Sequence, residues 1–389
     1  MDMEIAIVVV AYNRVGSMSR LLYSLEKASY PAGKNIPLII SVDKSNTDVV
    51  ERYADDFRWQ FGEKIVDKHD VNLGLRPHML SLGKWFDKYD AIIVLEDDVV
   101  VSPCFFSYSM QTVERYSDND SVAGISLYSF KVNYQTGTPF EPLKNEYDVF
   151  FMNCAMSWGE VWMRNSWLKF YDWYLKNQDF KKSNHLPLAI CAWNDKSWLK
   201  YHTKYCIEEN KYFVFPYVSL TTNYGDAGIH NNGSGNTVYQ VVLQNGDKKT
   251  FSLPELDSDA IRYDGFFENL ALYNIIEYPV QDVCVDLQNG KKNSMKCRYW
   301  LTTQLENYKI VKSYGLNYRP IEANILLNNE GDTIFLYDTS IEEKNHVRCT
   351  RQSKLYPYHL SNIFLFIREY GYCNSIKDFL SLLKNKFCV

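Results

Sequence analysis

The chain has 389 residues, 46% of them hydrophobic and 23% charged, with a net charge of −5 and a pI near 5.9. That length gives room for two cores, and the composition is that of a globular protein, not a disordered or fibrous one. The acidic balance argues against a partner held through nucleic-acid phosphates. Nine scattered cysteines without a C-x-x-C pair make neither a disulfide framework nor a zinc site, and imply a reducing compartment. The acidic start and the lack of any bilayer-length apolar run read as cytosolic. Aromatics are high at 15%, which accompanies carbohydrate contact as well as large cores.

Taken in order, Ile5 to Ala11 is an apolar run and predicts a buried strand, followed by a helix through Leu21, Leu22 and Leu25. Pro37 to Val42 predicts a second strand ending at Asp43. Val49 to Phe61 reads as a helix, Lys64 to Val66 as a short strand, and Pro77 to Trp85 as a helix with proline in its first turn. This alternation is that of a parallel α/β sheet. Arg14 and Asp43 then fall just after successive strands, on one sheet edge, where ligands of open α/β sheets bind. An arginine there can clamp phosphate and an aspartate can accept from a base or ribose; taken singly, each is more often a surface or capping residue, and three polar groups at successive strand ends point toward a nucleotide site.

Ala91 to Val101 carries the strongest signal. An apolar run leads into three consecutive carboxylates, Glu96, Asp97 and Asp98, then resumes and stops at Ser102-Pro103. Three adjacent carboxylates at the end of a buried strand repel one another unless a cation or donors compensate them. They suggest a hard-cation site for Mg²⁺ or Mn²⁺ shared with phosphate oxygens, against the plainer reading of a solvated acidic turn. Neither G-x-G-x-x-G nor a P-loop motif is present.

The segments Val8 to Arg14, Ser41-Val42-Asp43 and Val94 to Phe106 resemble GT-A-fold glycosyltransferases, in particular the N-acetylglucosaminyltransferase I type, whose metal motif is Glu-Asp-Asp. The resemblance implies a Rossmann-like, mixed but mainly parallel sheet flanked by helices. It also implies a UDP-sugar donor, with Mn²⁺ or Mg²⁺ on Asp98. Glu96 and Asp97 would then contact ribose and donor sugar, with Arg14 at the diphosphate, Asp43 at the uracil and His78 near the base. Met156 to Trp162 resembles the family's acceptor-side segment. Ala192 to Trp198 stands where the family has Trp-Asp-Asp-Trp, which makes Asp195 the expected catalytic base; here the first Asp is Asn194 and two residues precede the second Trp. An N-cap is the structural alternative for Asp195. The flanking indoles of Trp193 and Trp198 are expected to wall it from solvent and raise its pKa. Val218 to Asn236 resembles the glycine-rich loop that closes over the donor, and places His230 near metal or diphosphate.

Residues 1–240 are expected to form the catalytic domain and 241–389 a smaller α+β region with an acceptor-side or interaction role. Within the latter, Val238 to Leu253 predicts a hairpin, Asp257 to Ile276 a helix, Val283 to Leu287 a strand, and Tyr299 to Val311 a helix. Tyr358 to Val389 holds two amphipathic stretches that dock on the body or, in a minor reading, lie against the inner membrane face. A glycan or lipid-linked hydroxyl is the expected acceptor. The rivals are a sugar-phosphate nucleotidyltransferase, whose glycine-rich first loop is missing here, and a non-catalytic nucleotide-sugar or glycan-binding scaffold.

Overall fold

The computed structural model describes residues 3–226, 239–257, 259–291 and 297–347, together with 371–373, 376, 377 and 380. The centre of the molecule is β1 (Ile5–Ala11), apolar throughout because both its faces are covered. Ile5, Ile7 and Val9 pack into one layer and Ala6, Val8 and Val10 into the other. It pairs in parallel with β2 (Leu38–Val42), which pairs with β3 (Lys64–Lys68), while its other neighbour is β4 (Ala91–Glu96). One face is covered by α1 (Val15–Glu26), through Met18, Leu21, Leu22 and Leu25, and by α2 (Val49–Asp56). The opposite face receives α3 (Leu75–Ser81) and the 3-10 turn Leu82–Asp87.

The chain then turns at Asp97-Asp98 into β5 (Val99–Val101), and α4 (Phe105–Tyr116) joins the α1 layer. Next come β6 (Val122–Ser126), β7 (Val149–Met152), β8 (Glu160–Met163), α5 (Arg164–Lys176), α6 (Leu188–Ala192), α7 (Leu199–Glu208), β9 (Tyr212–Pro216), β10 (Thr221–Asn223) and β11 (Arg262–Tyr263). Among the described residues the large sheet has nine strands in the order β11-β7-β9-β6-β8-β4-β1-β2-β3. Five pairings are parallel and three antiparallel, which makes it a mixed, mainly parallel sheet with helices on both faces. Within the sheet β8 runs antiparallel to both of its neighbours, β4 and β6. Its first residue therefore lies at the same edge as the last residues of β1 and β4.

A second sheet follows α8 (Leu272–Ile275). It is formed by β12 (Val283–Asp286), β13 (Tyr299–Thr302), β14 (Tyr308–Tyr314) and, after α9 (Ala323–Leu326), β15 (Ile334–Glu342), in the order β12-β13-β15-β14. It has its own core of Leu272, Val285, Leu301, Ile325 and Leu336. Among the described residues no helix is long and apolar enough to cross a membrane.

The first half follows the predicted elements closely, and the departures have local causes. The helix read over 49–61 ends at Asp56, where Phe57 is extended; Trp59 and Phe61 fold back onto Tyr30, and the Trp59 indole donates to the Ile36 carbonyl at 2.7 Å. The helix read over 257–276 is instead the short edge strand β11, a turn and α8. Asp264 closes that turn by accepting from the backbone N–H groups of Phe266 at 2.8 Å and Glu268 at 3.0 Å, the local side-chain bonding that competes with helix. The helix read over 299–311 is two strands, because Tyr299 to Thr302 pair on both sides, with β12 and β15. The hairpin read over 238–253 is not formed among the described residues; that stretch straps the sheet, with the Gln244 amide donating to the Ser219 carbonyl at 2.7 Å. The large sheet takes its last strand from Arg262–Tyr263, beyond residue 240. The tail after residue 347 falls almost wholly outside the described residues.

Candidate active site

Parallel pairing of β1 with β4 sets Val10 opposite Glu96, so the loop after β1 and the acidic turn after β4 share one edge. There Arg14, just before α1, donates to Asp97 and, at 3.0 Å, to Asp98 Oδ2. Asp97 is 4% exposed, whereas Asp98 and Glu96 are half-buried. Burial would lower the Arg14 pKa, but Asp97 and Asp98 outweigh it and hold the guanidinium more firmly charged than usual. One guanidinium cannot neutralise three carboxylates. Burial, with Asp98 and Asp97 alongside, pushes Glu96 up to about 8 against the opposing pull of Arg14. Asp97 rises to about 6, chiefly through burial.

A second layer closes over this turn. β10 pairs antiparallel with β5, setting Asn223 opposite Val99, and the Tyr224 amide donates to the Asp98 carbonyl at 2.9 Å. That carries Asp226 to α1, where Ser17 donates to it at 2.6 Å and Arg20 forms an ion pair with it. The Arg20 guanidinium also lies 4.0 Å over the Tyr224 ring. Ser17, Arg20 and Tyr224 were not singled out from the sequence. The spacing of Ser17 and Arg20 on one face of α1 was visible there, but their partner lies more than two hundred residues away.

Glu160, the first residue of β8, is fully buried at this same edge. It lies opposite Val94 and Ser126, on the sheet face that carries Trp162. Neither of its carboxylate oxygens has a hydrogen-bond partner. Burial raises its pKa well above the carboxylate range, opposed by the nearby Trp162 indole and reinforced by repulsion from Glu96. Gly159 just before it has φ +92°, and a side chain there would meet Thr221 at 2.7 Å, so the approach to β8 admits only glycine. The carboxyl state of Glu160 can be tested through stability. An acid whose folded pKa exceeds its unfolded value contributes fully below the unfolded pKa and loses that contribution as pH rises toward the folded one. Glu160→Gln keeps the shape and removes the titration. Its melting temperature should gain on wild type as pH rises from about 5 to about 8; a constant difference would show that the folded state does not raise the Glu160 pKa.

The remaining sequence-derived residues are dispersed. Asp43 is at the expected edge, but its carboxylate accepts from three backbone amides, those of Lys44 at 2.9 Å, Leu73 at 2.8 Å and Gly74 at 2.9 Å, and so ties down the loop before α3. His78 is 3% exposed, shares a hydrogen bond of 2.8 Å with Ser41, and is pushed down to about 4 by burial and by His69. His230 lies outside the described residues. Asp195 is fully exposed and pairs at 2.7 Å with Lys200, itself 2% exposed. The hydrogen bond from Lys200 lowers its pKa, opposite to the expected rise. The indoles do not enclose it: Trp198 packs inward against Trp162 at 5.5 Å and Trp193 against Tyr134 at 5.5 Å.

Among the described residues, no group of three or more His, Cys, Asp or Glu side chains is arranged to hold a metal by itself. Asp98 nevertheless offers what a shared site requires: its Oδ1 is buried and has no partner. One open carboxylate oxygen beside a basic clamp fits a cation that keeps water and takes its other ligands from phosphate.

No family model and no curated protein matches the chain. Among solved structures it is similar to the mannosyltransferase PcManGT from Pyrobaculum calidifontis in complex with GDP-Man and Mn²⁺, at 10% identity over 56% of this chain and 58% of that one, with a TM-score of 0.35. It is similar to S. aureus TarS 1–349 in complex with UDP-GlcNAc at 15% identity over 59% and 60%, with a TM-score of 0.36. It is also similar to GalNAc-T7 with UDP, GalNAc and Mn²⁺ at 12% identity over 55% and 42%, with a TM-score of 0.39. The chain thus covers less than two thirds of each of these structures. Likeness of that extent leaves function to be argued from the site.

Proposed function

We propose that the chain is a metal-dependent, inverting glycosyltransferase of GT-A type that moves a sugar from a UDP-sugar to a hydroxyl of a glycan or lipid-linked acceptor. The observation that carries this reading is the acidic turn at the end of β4, with Arg14 across it and a buried, unpartnered oxygen on Asp98. The UDP donor, possession of a Glu-Asp-Asp metal motif and the acceptor side all rest on the sequence resemblance. Asp98 would hold Mn²⁺ or Mg²⁺, whose charge would stabilise the leaving diphosphate. Arg14, already at the turn, would exchange a carboxylate for phosphate oxygens. Glu96 and Asp97 would orient the ribose and donor sugar.

The transfer itself needs one proton acceptor. The acceptor oxygen forms a bond to the anomeric carbon as the bond to the diphosphate oxygen breaks, and the electron pair leaves with UDP. The hydroxyl proton passes to Asp195. Lys200 keeps that carboxylate ionised and ready, and an acceptor seated over it would strip its water and raise its basicity. Turnover of a panel of sugar nucleotides, with and without Mn²⁺, tests the reading: metal-dependent release of UDP from at least one donor is expected. UDP binding without turnover in any donor and acceptor combination would leave a binding scaffold.

A further inference from the structure

The chain is acidic overall, yet residues 176–204 hold six lysines against two aspartates. Two of those lysines are not surface decoration. Lys200 and Lys204 on α7 are 2% and 4% exposed, and their ammonium groups lie 4.6 Å and 5.1 Å from the ring centre of Phe180. Together with the Tyr201 hydroxyl, which donates to the Gln178 carbonyl at 2.9 Å, they clamp the 178–182 strip onto α7. The clamp fixes Lys181 and Lys182 at the surface, both exposed.

Asp195 lies in this lobe, next to α7. Lys200 binds it directly; Arg76 reaches the same helix through the neighbouring Tyr201, and Lys182 follows Phe180, whose ring packs on the Lys200 ammonium. Arg76 comes from the first turn of α3 and is held in place rather than paired: it donates to the Tyr201 hydroxyl at 3.0 Å and lies 5.1 Å over that ring. Three cations thus belong to the lobe that holds Asp195. Lys200 is committed to Asp195, which leaves the fixed Arg76 guanidinium and the exposed Lys182 ammonium in the same lobe. An oriented fork next to a point charge is suited to a phosphate, and a neutral saccharide would leave both cations unused.

We propose that this face receives a phosphate-bearing acceptor saccharide, whose phosphate is taken by Arg76 and Lys182 while its hydroxyl meets Asp195. The proposal rests on reading Asp195 as the acceptor-side residue, and its test separates the two. The full chain is titrated with two disaccharides of the same sugars, one carrying a phosphate and one neutral, with and without saturating UDP and Mn²⁺. The phosphorylated probe should bind at least about tenfold more tightly at low salt. That preference should shrink as salt is raised and disappear in an Arg76→Gln, Lys182→Gln double variant whose UDP affinity is unchanged. Equal binding of the two probes, or a preference that survives in the double variant, overturns the proposal. A preference that depends on Arg76 and Lys182 in a chain unable to bind UDP would uphold this surface and sink the donor reading instead.

Discussion

Asp98→Ala should abolish metal-dependent UDP binding while leaving the fold intact. Asp98 sits in the turn between β4 and β5, its side chain 25% exposed, and it fills no part of either core. Its loss leaves Arg14 paired with Asp97 and removes one of the two charges that repel Glu96, so the folded state should be no less stable near neutral pH. The cation and the diphosphate, by contrast, would lose the unpartnered Asp98 oxygen proposed to hold the metal. Calorimetry should show Mn²⁺-dependent UDP affinity falling on the order of a hundredfold or more, the weight of several kcal/mol of metal–phosphate stabilisation. Wild-type affinity in the variant would remove Asp98 from the metal site, and a loss of cooperative melting would make it a structural residue.

Asp195→Asn should hold donor affinity and lower kcat by roughly a hundredfold to ten-thousandfold, the usual worth of a general base. The environment adds a second readout. Lys200 holds the Asp195 carboxylate below the ordinary range, so the acid limb of kcat/KM should lie lower than for an unpaired aspartate. Lys200→Met should move that limb upward in pH, while Lys200→Arg should restore it. Near-normal turnover in Asp195→Asn would transfer the role to another carboxylate. Glu160 is then the stronger candidate, being buried at the same edge as Glu96 with both oxygens unpartnered. Asp226 is already engaged by Ser17 and Arg20.

What could be read locally was read well. Runs such as Ile5 to Ala11 and Ala91 to Glu96 are apolar at every position because they are covered on both faces, and that pattern needs no knowledge of the partners. From consecutive buried parallel strands it follows that their ends share an edge, which is why the sequence puts Arg14 and the 96–98 turn on one edge. In the second half the same reasoning failed at Asp257 to Ile276 and Tyr299 to Val311. Aromatic-rich segments fit a helix stripe and a pleated face almost equally, and pairing with β7, β12 and β15 decided the matter.

The sequence alone determined the α/β class, the strand that carries the acidic turn, and the shared edge of Arg14 and that turn, because each follows from periodicity and from the rule that parallel strands end on one side. Only the tertiary structure decided what surrounds each charge. It spent the Asp43 carboxylate on backbone amides, turned the indoles of Trp193 and Trp198 inward and left Asp195 in water on a buried lysine. It also buried Glu160 beside the site by reversing one strand of the sheet. Solvation and charge partners come from segments a hundred or more residues apart, and no local pattern encodes them.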